Sequence, residues 1–151
     1  AYYQALRNVR LAGPTNFAPL IHHMMEITRQ GQFSATNQFY NILLIMTDGV
    51  ITDMENTKEA IVEAATLPMS IVIVGVGDGT TFKAMRELDG DDKRLTTKSG
   101  RTAVRDVVQF VPFAQFHGLP PERLAAHLLA EIPTNVVEYL NTVCRIKPAK
   151  I

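Results

Sequence analysis

The chain is poor in the features that mark out whole classes of protein. It has one cysteine, Cys144, which excludes an internal disulfide framework and a cysteine-rich zinc site. Such usage fits the reducing cytosol. It has no surplus of charge, with 15 Lys and Arg against 15 Asp and Glu, and no basic run. No field therefore draws it to nucleic acid or to an anionic membrane. No apolar run approaches the roughly 18–20 residues that span a bilayer. The opening AYYQALRNVR has neither an initiator methionine nor the apolar core of a signal peptide. It reads as the end of a helix that starts elsewhere, so the sequence is expected to be part of a longer one. No G-K-[ST] occurs, which excludes a P-loop.

What remains is an ordinary globular composition. Of 151 residues, 46% are hydrophobic and 20% charged, enough for one domain with a real core. The apolar pattern alternates between two kinds of segment. AYYQALRNV suits the last turns of a helix and VRLAG an extended link. Leu20, Ile21, Met24, Met25 and Ile27 fall largely on one face of a helix over Ala18–Gln30. Residues 39–47 read as a strand that is apolar on both faces, as inner strands of parallel sheets are. TDME, residues 52–55, has capping-box spacing with Thr52 as cap and Glu55 three residues on. The helix it opens turns Ile61, Val62, Ala64 and Ala65 inward and stops before Pro68. A second buried strand covers 70–77, a short helix 81–88 and a solvated loop 89–101. A third strand covers 105–113, with Pro112 pointing to an edge or terminus. Pro120 and Pro121 open a further helix, and Pro133 divides it from a last one, NVVEYLNTV. Strands alternating with helices predict an α/β fold with a parallel sheet.

Most candidate sites dissolve on inspection. GVGDG at 75–79 follows a strand but lacks the dinucleotide spacing, and reads as a glycine-rich turn. His22 and His23 point about 100° apart on one helix and cannot chelate one ion together. His117 and His127 stand far off in sequence. Cys144 reads as core filler. DGDD at 89–92 lacks the ligand ladder of an EF-hand and reads as a solvated acidic loop. Two segments survive. In NILLIMTDGVITD, residues 41–53, Asp48 ends a buried strand and Gly49 lets the chain turn. Ligands of open parallel sheets bind at such carboxyl ends, although aspartate also caps turns. In GPTNFAP, residues 13–19, Thr15 supplies a hydroxyl. Both are hard oxygen donors of the kind Mg²⁺ or Mn²⁺ takes.

Together, VRLAGPTNFAPLI, NILLIMTDGVITD, LPMSIVIVGVGDGTTFKAMRELDGDD, RDVVQFVPF and LAEIPTNVVEYL closely resemble the carboxyl-terminal von Willebrand factor A-like domain of the copine family. The resemblance runs nearly end to end. It implies a doubly wound, Rossmann-type parallel sheet with a metal-ion-dependent adhesion site at its carboxyl edge. By motif, Thr15 matches that site's loop threonine and Asp48 its aspartate. The D-x-S-x-S loop that supplies the other ligands is absent from the sequence. Residues 1–151 are thus expected to be the C-terminal part of one such domain, with its first strands missing.

The resemblance also implies a cytoplasmic protein-interaction module, not an enzyme, that binds target proteins. Calcium-dependent recruitment to membranes is implied for the parent protein, through domains absent from this chain. The rivals are the copine-like domain of plant-type RING ubiquitin ligases and a nucleotide-binding α/β enzyme. The first needs a RING finger, whose Cys and His ligands this chain lacks. With its first strands gone, the strand at 39–47 is expected to pair with another chain.

Overall fold

The computed structural model describes residues 2–10, 12–78, 82–90 and 93–145. Three strands form one parallel sheet in the order β1 (Asn41–Thr47), β2 (Met69–Gly75), β3 (Val108–Pro112). Around it lie α1 (Tyr2–Asn8), α2 (Ala18–Gln30), α3 (Met54–Ala64), α4 (Lys83–Leu88), α5 (Pro121–Leu128) and α6 (Ile132–Glu138). A 3₁₀ turn over Phe113–Phe116 follows β3, and a π-turn over Tyr139–Val143 extends α6. The parallel strands and their helical crossovers are the α/β architecture the alternating pattern predicts.

Side chains alternate across the sheet, so register assigns each to a layer. On one face, Ile45, Ile71, Ile73, Val108 and Phe110 join the core with Ile21 and Met25 of α2, Ala60 and Ile61 of α3, and Met85 and Leu88 of α4. Gly75 ends β2 where a Cβ would meet the rings of Phe82 and Phe110 at 2.7–2.9 Å. Its missing side chain lets those rings pack 5.3 Å apart. On the other face, α5 packs on β3 and α6 on β2, and Val72, Val74 and Val111 are buried. Only β2 is buried along its whole length.

Several expectations shift. The first strand starts at Asn41. Before it, Phe39 packs edge-on against Phe33, and the Tyr40 hydroxyl contacts Ser70 and the Met69 carbonyl. That strand is not buried on both faces, because Ile42, Leu44 and Met46 are 43%, 54% and 71% exposed. Within this chain it lies at an edge rather than inside the sheet. The capping box does not form. Asp53, not Thr52, precedes α3, with no side-chain cap bond, and Glu55 pairs with Lys58 and Lys98 instead. Pro133 lies in the first turn of α6 rather than between helices, where its missing N–H costs nothing. Ala1, Leu11, Gly79, Thr81, Asp91 and Asp92, which belong to predicted segments, lie outside the described residues.

Arg105 does not open the third strand. It is fully buried and donates every guanidinium N–H. Nε goes to the Ala65 carbonyl, Nη1 to Tyr40 and the Asn135 carbonyl, and Nη2 to the Leu67 and Met69 carbonyls. The guanidinium also lies 5.6 and 5.3 Å from the Tyr40 and Tyr139 rings. Its carbonyl partners at 65 and 67 follow the C-terminus of α3, where the helix dipole is negative and favours a cation. Burial, then a side-chain hydrogen bond with Cys144, pushes the Tyr139 phenol well above its ordinary pKa.

Candidate functional site

Two loops meet at the carboxyl end of β1. The first, residues 12–17, runs into α2 through a cis Gly13–Pro14 bond. Thr15 is exposed there, and among the described residues its hydroxyl has no hydrogen-bond partner. The second leaves β1 at Thr47, whose hydroxyl accepts the Gly49 N–H at 3.1 Å. Gly49 takes φ 98°, in the left-handed region that glycine enters without steric cost. Asp48 is exposed beside it, and its Oδ1 accepts the Val50 N–H at 3.3 Å. The turn-capping role of Asp48 and its position at a strand end thus coexist.

Thr15 helps join the loops through its backbone carbonyl rather than its hydroxyl. The Thr52 N–H donates to the Thr15 carbonyl at 2.9 Å. The Thr52 hydroxyl lies 2.8 Å from that same carbonyl and 2.8 Å from the Asn16 side-chain oxygen. Asp53 completes the junction. Its Oδ1 accepts the Phe17 N–H at 3.0 Å and the Thr57 hydroxyl at 3.1 Å, and its Oδ2 accepts the Ala18 N–H at 2.9 Å.

These N–H groups belong to the start of α2, which has no side-chain cap of its own and carries a proline in its first turn. The first N–H groups of a helix lack intrahelical partners. A carboxylate from a segment 35–36 residues away supplies them here and complements the positive end of the helix dipole. The sequence held one sign of this, a helix beginning at Phe17–Ala18–Pro19 without Ser, Asp or Asn at the cap.

The geometry therefore places Thr15 and Asp48 on adjoining loops. Among the described residues, no group of three or more His, Cys, Asp and Glu side chains is placed to hold a metal ion. The histidines follow suit, with His22, His23, His117 and His127 all exposed, and Cys144 is half-buried. A carboxylate, a hydroxyl and open solvent suit a hard cation that keeps much of its water. Mg²⁺ is such an ion, being commonly bound by one or two carboxylates while retaining several waters. Zinc in a structural site takes four protein ligands of the nitrogen or sulfur kind, which these loops do not offer.

Among the described residues, no helix is long and apolar enough to cross a membrane. A family model described as Copine matches residues 1–148.

Proposed function

The chain belongs to the copine family, and from that premise we propose that it is a protein-interaction module whose partner contact runs through a divalent cation. The domain is von Willebrand factor A-like and does not belong to a known enzyme family. Asp48 would anchor Mg²⁺ or Mn²⁺ by charge, Thr15 would add a neutral oxygen, and water would complete the shell. A position left to water is one that a carboxylate of a target protein can take. The observation that supports this most is the hydrogen-bonded junction between the loop that contains Thr15 and the loop that leaves β1 through Asp48.

On this reading the chain turns over no substrate. It works in the cytoplasm, and calcium-dependent membrane recruitment belongs to other parts of the parent protein. The test is Mn²⁺ titration followed by paramagnetic relaxation, beside capture of target proteins in Mg²⁺ or EDTA. Asp48→Ala should remove Mn²⁺ binding, and Thr15→Ala should weaken it less. Target capture that is indifferent to both EDTA and Asp48→Ala would overturn the cation-bridged contact.

The partner reading extends to β1. In the isolated chain, a second polypeptide would pair along its open edge within residues 39–47. The uncovered Ile42, Leu44 and Met46 support this, since an unguarded apolar edge is a template for another strand. Light scattering should then show a dimer that dissociates on Leu44→Lys. A dilution-stable monomer would exclude the pairing.

A further inference from the structure

We infer that Asp53 is the positioning residue of the site, setting where Thr15 stands relative to Asp48 without touching the cation. The inference rests on the cation reading above for its functional meaning, but its geometry stands independently. Asp53 lies five residues beyond Asp48 in the same loop, so whatever its carboxylate holds is held in the frame of the Asp48 turn.

It holds the backbone N–H groups of Phe17 and Ala18 at 3.0 and 2.9 Å, two and three residues beyond Thr15. Thr52 fixes the Thr15 carbonyl from the adjacent position. Thr15 is thus tied at its own carbonyl and again two to three residues on, both times by the loop that carries Asp48. On the far side, Phe17 and Ala18 are buried in the core, 4% and 5% exposed. The Thr57 hydroxyl on α3 donates to the same carboxylate, which keeps it in its rotamer.

Each carboxylate oxygen has a separate N–H to accept, so the arrangement calls for two acceptors on one side chain. Asparagine supplies one acceptor and presents an N–H₂ to the other donor. Asp53→Asn should therefore break half of Asp53's share of the junction while preserving shape, and Asp53→Ala should remove that share entirely, leaving only the Thr52 bonds. Groups that orient metal ligands from behind typically change metal affinity by about 10–100-fold when removed.

The test uses the 151-residue chain, with three measurements on each variant: Mn²⁺ affinity, thermal midpoint and amide hydrogen exchange. Asp53→Ala should weaken Mn²⁺ binding about tenfold or more, with Asp53→Asn between it and wild type. Exchange should quicken at Phe17, Ala18 and Thr52 while β2 stays protected. Unchanged Mn²⁺ affinity beside quickened exchange would overturn the positioning role, leaving Asp53 a helix cap only. Exchange unchanged at Phe17 and Ala18 would overturn the junction itself. A wild-type chain that binds no Mn²⁺ would overturn the cation reading. Local quickening in Asp53→Ala would then still support the junction as the device that sets the two loops.

Discussion

The two edges of the sheet are finished in opposite ways. At β3, the N–H groups of Val108 and Phe110 are taken by neighbouring carboxylates, Asp106 at 3.1 Å and Asp89 at 3.3 Å. Two residues on, Pro112 has no N–H to offer. At β1, the Asn41 N–H and the Thr47 carbonyl bond toward the β2 side, so the intervening even-numbered residues turn theirs outward. Residues 41–47 hold no charge and no proline, and the side chains of Ile42, Leu44 and Met46 are bare. Natural sheets protect solvent-facing edges with charge, proline or capping groups. Among the described residues, one edge carries those devices and the other carries none. That asymmetry gives the pairing proposed for β1 its physical basis.

The largest effect should come from the anchor at the entry to the guarded strand. Arg105→Leu strips partners from several buried carbonyls, each worth about 1–3 kcal/mol when left unsatisfied. Urea unfolding should show a loss of at least about 3 kcal/mol, or no folded state. Arg105→Lys should rescue little, because an ammonium cannot reproduce the planar fork.

The next contrast lies within β1 itself. Ile45→Ala, on the covered face at 5% exposure, should cost about 2–5 kcal/mol. Leu44→Ala, one residue earlier and 54% exposed, should cost under about 1 kcal/mol in the monomer. Equal losses would mean that the outer face of β1 is covered in solution.

The guard at β3 can also be lifted. Asp89→Ala leaves the Phe110 N–H without its acceptor, at a cost of about 1–3 kcal/mol. It should also raise association in light scattering. Unchanged association would mean that Pro112 and Asp106 suffice to close that edge.

The smallest effect concerns alkaline pH. Tyr139 beside Arg105 has its phenol pKa raised in the folded state, first by burial and then by Cys144. The sign follows from linkage: the contribution is complete below the unfolded tyrosine value of about 10 and is lost as pH rises through the folded value. Stability should stay level to about pH 9 and decline above about 10. Tyr139→Phe should flatten that part of the decline.

Much of this is legible in the sequence. The helix over Ala18–Gln30 appears with its predicted bounds, because its apolar spacing and flanking prolines are local signals. Ile61, Val62, Ala64 and Ala65 are buried as their periodicity required. For the candidate site, family likeness points to Thr15 and Asp48 as the proposed donors, but the local spacing assigns Thr52 to a capping box. A T-x-x-E spacing says only that a hydroxyl and a carboxylate could serve a local helix. It cannot say that a carbonyl 37 residues away will take that hydroxyl instead.

The sequence by itself determined the elements, their alternation and hence the parallel sheet, because periodicity and helix breakers act over a few residues. It also determined that NILLIMT and MSIVIVG are both built for burial. Only the tertiary structure decided that MSIVIVG is covered on both faces and NILLIMT on one. Cover comes from helices distant in sequence, and their placement is invisible to a local pattern. The same holds for Asp53 and Arg105, whose partners lie up to 36 and 65 residues away. A carboxylate or a guanidinium carries no mark of which distant backbone groups it will meet, and only folding brings them within bonding distance.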